Sequence, residues 1–334
     1  MDHQIDAYSP ILFVTGTGRS GTNITKKILS KHSHVASLPF EHRFTIDPQG
    51  VVDFYKTYPA QWSPYWCDFK VKAFTGFLRS LGRQDDSKSK ATKEAKNIDP
   101  TGLQLTPPAY AGWELEQWFS NYFKAIDELE QELIEFRYRG RWPGSEGGIE
   151  QNEMIFANPM TEAELQPILA RFLQQLTSGL LSAQGKQYFV EDNTHSILNA
   201  KALLELYPAG KILHIVRDPR DVIASLDDQS WTPSHSPDLI HWYKQIMDRW
   251  LQLKAQLDVQ RVLEVRLEDI VQHTQQTLEN ICDFAGIPFE KRMMENDLTQ
   301  HHSGRYASKW NAEQIAELED ALSPYMKRWG YPLT

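Results

Sequence analysis

A short apolar run, Ile11-Leu12-Phe13-Val14-Thr15, leads directly into Gly16-Thr17-Gly18-Arg19-Ser20-Gly21-Thr22-Asn23 and then into a helical spacing of Ile24, Ile28 and Leu29. No other stretch limits the possible folds as strongly. A strand, a glycine-framed turn and a helix form half of a crossover unit, which needs a parallel strand beside it. Gly16 and Gly21, with four residues between them, give the frame of a P-loop. In that frame successive backbone N–H groups make a concave anion site, and the helix N-terminus adds roughly half a positive charge. The next two positions depart from a nucleotide triphosphatase: Thr22 replaces the phosphate-binding Lys, and Asn23 replaces the Mg²⁺-binding Ser or Thr. The loop therefore keeps an anion cradle and loses its metal ligand, while Arg19 supplies positive charge. A glycine-rich turn with no ligand is the competing reading of this loop alone.

The alternation of strand and helix lapses after about residue 50 and returns near 186. Residues 83–97 carry only Ala91 and Ala95 as apolar side chains and read as a solvated loop. Residues 114–139 read as one helix, because Trp118, Tyr122, Ile126, Leu129, Leu133 and Phe136 recur at spacings of three and four. A glycine-rich loop follows, with Gly140, Gly144, Gly147 and Gly148. Beyond 186 the pattern predicts strands at 188–190, 211–216 and 261–266, with helices at 197–207, 219–227, 237–257, 270–285 and 312–328. A further strand is expected between His34 and Leu38. Strands alternating with helices imply an α/β protein, a three-layer parallel sheet flanked by helices.

The second anion signal lies at the end of the strand 211–216, in Arg217-Asp218-Pro219-Arg220-Asp221-Val222 with Ser225 following. An arginine at a strand's carboxyl end and a serine in the next helix can clamp one anion from two directions. Asp218 and Pro219 also suit a helix N-cap and first turn, and both readings can hold together.

Taken with Gly16–Thr22, this second motif resembles the sulfotransferases that use 3′-phosphoadenosine-5′-phosphosulfate (PAPS). Val190-Glu191-Asp192-Asn193-Thr194-His195 is similar to the family's Lys-Thr-His stretch, and Val265-Arg266-Leu267-Glu268-Asp269 to its Arg-Tyr-Glu-Asp-Leu segment, with Leu267 in place of Tyr. His302-Ser303-Gly304-Arg305-Tyr306 and Trp329-Gly330-Tyr331 resemble the cofactor-covering loop and the end of the last helix. The similarity spans 10–45 and 185–332, and the loop arginine places it nearest the carbohydrate, protein-tyrosine and bacterial branches.

The resemblance implies a P-loop-containing nucleotide hydrolase-like sulfotransferase fold in a single domain over 1–334. Its PAPS-binding core would be 10–49 and 186–334, and 50–185 a mostly helical insertion that binds the acceptor. Gly18, Arg19, Ser20, Gly21, Thr22 and Asn23 would hold the phosphosulfate, and Arg217 and Ser225 the 3′-phosphate. Arg305 would reach that phosphate or cover the nucleotide; its plainer reading is a surface arginine beside Glu313. Arg19 would also stabilise charge on the bridging oxygen during in-line transfer. The base that takes the acceptor's hydroxyl proton would be Glu41, in Pro39-Phe40-Glu41-His42-Arg43, with His195 as its rival. The alternatives are a metal-dependent P-loop kinase, which wants a Lys and a Ser or Thr where Thr22 and Asn23 stand, and a binding protein that has lost catalysis.

Composition sets the outer limits. The 334 residues carry a net charge of −9, which argues against a nucleic-acid-coating surface. Cys67 and Cys282 cannot form a disulfide framework, and His301-His302 lack the spacing and acid partner of a metal site. No run approaches the ~18 apolar residues of a membrane span, and the first residues lack a signal-peptide pattern, so a cytoplasmic enzyme without metal is expected. Its acceptor would be a small molecule, carbohydrate or peptide bearing a hydroxyl. Trp62, Trp66, Trp113, Trp118 and Trp142 could wall its pocket or pack internally, and Arg137, Arg139 and Arg141 could meet an anionic acceptor or a solvated helix end.

Overall fold

The computed structural model describes residues 8–82, 114–141, 152–234, 236–295 and 303–333. The loop 83–97, Trp113, Trp142, the glycines at 144, 147 and 148, and His301-His302 lie outside them.

In chain order the first elements are β1 (Ile11–Thr15), α1 (Thr22–Leu29), β2 (Val35–Ser37), α2 (Val51–Thr57) and α3 (Pro64–Gly82). Then come α4 (Tyr122–Leu133), β3 (Phe136–Gly140), β4 (Asn152–Phe156), α5 (Glu162–Gln184), β5 (Tyr188–Glu191) and α6 (Ala200–Leu206). The last stretch holds β6 (Gly210–Val216), α7 (Pro219–Leu226), α8 (Ser236–Lys254), β7 (Val262–Arg266), α9 (Leu267–Gln272), α10 (Thr274–Ala285), α11 (Arg305–Lys309) and α12 (Ala312–Arg328). The chain divides into two compact units. One comprises Pro10–Glu41, Lys186–Leu204 and Ala209–Thr334; the other comprises Met1–Ser9, His42–Gly185 and Glu205–Pro208.

The first unit is built on a five-stranded sheet of order β2-β5-β1-β6-β7, parallel throughout. Its central strands are apolar on both faces, as a doubly covered parallel sheet requires. On one face Leu12, Val14, Leu213, Ile215 and Val265 pack against Ile28 and Leu29 of α1, Leu267 and Ile270 of α9, and Leu278 and Ile281 of α10. On the other, His214 meets Trp250 of α8 edge-on at 4.9 Å. His214 Nδ1 and Glu264 lie 3.0 Å apart, and Trp250 Nε1 donates to the same carboxylate. Burial alone pushes the Glu264 carboxyl up, but these partners and Lys254 hold it well below the usual range. The expected parallel sheet flanked by helices is therefore present.

The second unit places α2, α3, α4 and α5 with an antiparallel hairpin of β3 and β4. Here one expectation is corrected: residues 114–139 are not a single helix. Leu115–Gln117 form a short 3₁₀ turn, α4 stops at Leu133, and Ile134 is already extended. Phe136 satisfies the helical spacing but stacks on Phe156 across the hairpin at 4.8 Å. That cross-strand partner, twenty residues on, lies beyond the reach of local periodicity. The expected helix 270–285 is likewise two helices, α9 and α10, which meet at His273.

Candidate functional site

The carboxyl ends of β1, β5, β6 and β7 meet along one edge of the sheet, where open α/β sheets bind ligands. The loop leaving β1 has Gly18, Arg19 and Gly21 in the left-handed region, at φ 82°, 58° and 104°. This is the backbone form from which anion nests are made. Gly21 has no alternative, since a Cβ there would lie 2.6 Å from a methyl of Leu267. Arg19 carries a side chain in this region, which costs on the order of 1–2 kcal/mol. Two contacts hold it there. Its Nε donates to Ser225 Oγ at 3.0 Å, and its carbonyl accepts from Arg217 Nη1 at 2.9 Å. Ser20 is 1% exposed, and its Oγ has no hydrogen-bond partner among the described residues. A buried hydroxyl left unpaired costs about 1–3 kcal/mol, so the loop fits a ligand with acceptor oxygens. Thr22 is buried at the start of α1, and Asn23 is exposed beside it.

The loop after β6 sorts its charged groups by task. Asp218 caps α7 by accepting from Arg220 N at 2.9 Å, with Pro219 at the first helical position. The Arg220 guanidinium is consumed structurally: it grips Asp218 through two nitrogens, bonds Glu319 of α12, and lies 4.3 Å over the Tyr306 ring. Arg217, also buried, faces the first loop instead. Burial lowers the affinity of its guanidinium for the proton; Asp221 and Glu268 oppose this, and Arg19 adds to it. Two cations share one small space.

Asp221 accepts from the backbone N–H groups of Gly304 and Tyr306 at 2.8 and 3.2 Å, and so stitches the late loop to α7. Burial raises its carboxyl above the ordinary value against the pull of those donors and Arg217. Glu268 accepts from Asp218 N at 3.0 Å and from the Tyr331 hydroxyl at 2.7 Å. The segments around Val265–Asp269 and Trp329–Tyr331 thus brace the Arg217 loop from below. Arg305, half-exposed, pairs with Asp228 rather than lying beside Glu313. The Asp228 carboxyl is held down first by Lys309 and also by Arg305 and Arg19.

Glu41 and the end of β5 complete the edge. Glu41 Oε1 accepts from Thr194 Oγ1 at 3.0 Å. His195 follows in the same 3₁₀ turn but directs its ring edge-on toward Trp242, 6.0 Å away. Behind them Lys26 of α1 forms a buried pair with Asp192 at 2.7 Å and also donates to Leu38 O. Glu191 is fully enclosed; burial, and then the charge of Asp192, raise its carboxyl well above the usual carboxylate range. Its Oε2, both amide atoms of Asn193 and Ser196 Oγ are buried without partners among the described residues.

The structure thus gathers Gly18, Arg19, Ser20, Gly21, Thr22, Arg217 and Ser225 on one strand-end edge, with Glu41 on its Thr194 side, and gives His195 a different neighbour. Sequence reading gave no role to Thr194, Asp221, Glu268 or Lys26. Thr194 and Glu41 are 153 positions apart, and only the parallel pairing of β5 with β1 and β2 shows that they meet. Among the described residues no group of three or more His, Cys, Asp and Glu side chains is arranged to hold a metal ion, and no helix is long and apolar enough to cross a membrane.

A sequence model described as the sulfotransferase family matches residues 111–291, more than half of the chain. The match contains the Arg217 loop and the Val265–Asp269 segment, and it begins after the first loop. The chain belongs to the sulfotransferase family. No curated protein sequence matches it. Similar solved structures include the sulfotransferase domain of the Synechococcus PCC 7002 olefin synthase, 16% identical, covering 98% of each chain with a TM-score of 0.47. A Mycobacterium tuberculosis sulfotransferase is 15% identical over 95% of this chain and 77% of its own, with a TM-score of 0.44. One from Alicyclobacillus acidocaldarius is 14% identical over 97% of each chain, with a TM-score of 0.41.

Proposed function

We propose that this sulfotransferase moves the sulfuryl group of PAPS to an acceptor hydroxyl and releases adenosine 3′,5′-bisphosphate. The observation that carries the reading is the junction of Arg19, Ser225 and Arg217. Arg19 donates to Ser225 Oγ, while Arg217 donates to the Arg19 carbonyl and pairs with Asp221 at 3.8 Å; the two cations lie close enough to act on each other, and one multiply charged anion can bridge them. The amides of Gly18–Thr22, Ser20 Oγ and Arg19 bind the phosphosulfate, while Arg217 and Ser225 bind the 3′-phosphate. Asn23 borders the first helical turn, and Arg305 closes over the nucleotide once it leaves Asp228. With no Lys or Ser at positions 22 and 23, charge neutralisation falls to Arg19 and the loop dipoles rather than to a metal.

In this reading Glu41, oriented by Thr194, removes the acceptor's proton as the acceptor oxygen bonds to sulfur. The bond from sulfur to the bridging oxygen breaks, and its electron pair leaves with the 5′-phosphate, where Arg19 meets the developing charge. His195 keeps the neighbouring turn in place against Trp242. Residues 10–49 and 186–334 form the donor-binding core and 50–185 the acceptor insertion, whose exposed Tyr65, Phe69, Phe136 and Tyr138 offer aromatic surface. Transfer of labelled sulfate from PAPS to a panel of hydroxyl acceptors tests the reading. Glu41→Gln is expected to lower kcat by about 10²–10⁴-fold with adenosine 3′,5′-bisphosphate affinity retained. Full activity in that variant would remove Glu41 as the base, and absence of donor binding by the wild type would remove the reading.

A further inference from the structure

We infer that Trp231 is a specificity-determining platform, against which the acceptor lays a flat, apolar ring face as its hydroxyl reaches Glu41. The inference deepens the PAPS-dependent reading and rests on it. Among the described residues of the sheet unit, Trp231 is the one exposed Phe, Tyr or Trp side chain, 52% accessible where neighbouring aromatics pack inward. Its exposed indole borders the anion loop at Gly18 and leaves apolar area that an occupant would remove from water.

Its placement is fixed from several directions. A Cβ built on Gly18 would lie 3.1 Å from the far edge of the Trp231 ring and 3.3 Å from the Thr194 methyl. The same Thr194 carries the hydrogen bond to Glu41. Gly18 is therefore a shared floor between the indole and the residue that positions the base. The junction with Arg217 and Ser225 instead involves Arg19, the next residue. Trp231 thus meets at Gly18 the residue that positions the base, and this shared neighbour favours the acceptor over the donor's purine as its occupant.

The ring is also held in advance. Thr232 Oγ1 donates to Leu226 O at 2.6 Å and approaches Gln229 O at 3.1 Å, while Gln229 bonds the Ser225 carbonyl. Trp242 backs the indole in an edge-on contact at 6.0 Å, and His195 backs Trp242 in turn. A preset indole adds contact area without a large ordering cost, the condition under which an aromatic wall raises affinity. The chemical class that follows is a phenol, a ring alcohol or a sugar with an apolar face beside the reacting hydroxyl. Short acyclic alcohols leave the indole wet.

Steady-state transfer from PAPS to 4-nitrophenol, cyclohexanol and 1-butanol tests this, alongside calorimetric binding of adenosine 3′,5′-bisphosphate. Wild-type protein is expected to prefer the two ring acceptors. Trp231→Ala should raise their KM by about tenfold, in line with loss of a stacked aromatic face. It should leave the 1-butanol value and adenosine 3′,5′-bisphosphate affinity within twofold, and Trp231→Phe should recover most of the loss. Unchanged KM values, or no wild-type preference for rings, would overturn the platform while donor binding stands. An equal loss of adenosine 3′,5′-bisphosphate affinity would also overturn it, by placing the purine on the indole. Failure of the wild type to bind adenosine 3′,5′-bisphosphate removes the donor reading and the platform with it.

Discussion

The carboxyl edge of the sheet and the helical unit solve opposite problems with their polar groups. In the helical unit, Asp68 accepts from Ile155 N, the buried Tyr122 hydroxyl donates to Leu78 O, and Arg137 pairs with Glu130 and Glu153. Thr161 and Glu164 close a full capping box at the start of α5. At the sheet edge, three loop residues in sequence positions 18–21 are left-handed, and Ser20, Glu191, Asn193 and Ser196 bury atoms without partners among the described residues. Among the described residues the helical unit also buries unpaired atoms, Trp66 Nε1 and Asn121 Oδ1, and holds Gln49 and Glu114 left-handed, but these lie far apart in sequence. At the sheet edge strain and unmet hydrogen-bonding capacity are concentrated in residues 18–21 and 191–196, where a ligand can repay them. The contrast is one of concentration, although both regions carry arginines.

Substitutions can break the contrast, and the arginines give the largest difference. Arg217→Ala is expected to weaken adenosine 3′,5′-bisphosphate by about 100-fold, from loss of charge-assisted hydrogen bonds in a buried site. Arg137→Ala, on the exposed hairpin, should change it less than about twofold. Calorimetric titration distinguishes these outcomes, and equal losses would erase the comparison. The glycines come next. Gly21→Ala combines a left-handed backbone with a collision at Leu267, and should cost about 2–3 kcal/mol by denaturant unfolding. Gly76→Ala, in mid-α3 with nothing within 4 Å of the new methyl, should instead gain up to ~1 kcal/mol.

Glu191 gives the subtlest difference. Burial raises its carboxyl in the folded state well above the ordinary value of 4.5. The native state thus binds more protons than the unfolded state as pH rises above that value, and stability falls through the window by up to about 1.4 kcal/mol per pH unit. Glu191→Gln, which mimics the protonated acid, should flatten the decline relative to wild type. Parallel slopes in the two proteins would show that Glu191 ionises in place.

Much of this edge was legible in sequence because its signals are local. The strand Ile11–Thr15, the glycine frame and the Asp218-Pro219 helix start each need only neighbouring residues, and each is present. The α4–hairpin region misled because Phe136 fits a helical stripe as well as a cross-strand stack, and only its distant partner decides. Lys26 reads as one more polar residue on α1 until Asp192 arrives from β5. Thr194 lay inside a recognised stretch, yet its tie to Glu41 exists only once β5 lies between β1 and β2. Trp231 carried no spacing signal, because an exposed aromatic in a loop has no period.

The Arg19–Ser225–Arg217 junction is proposed to hold a 3′-phosphorylated adenosine donor. Calorimetric titration of the wild-type protein with adenosine 3′,5′-bisphosphate and with adenosine 5′-monophosphate tests it most directly. The two ligands differ only in the group that the junction is assigned to hold. Binding at least about 100-fold tighter for the bisphosphate, without added metal, is the predicted result. Equal affinities, or tighter binding of ATP that requires Mg²⁺, would contradict it.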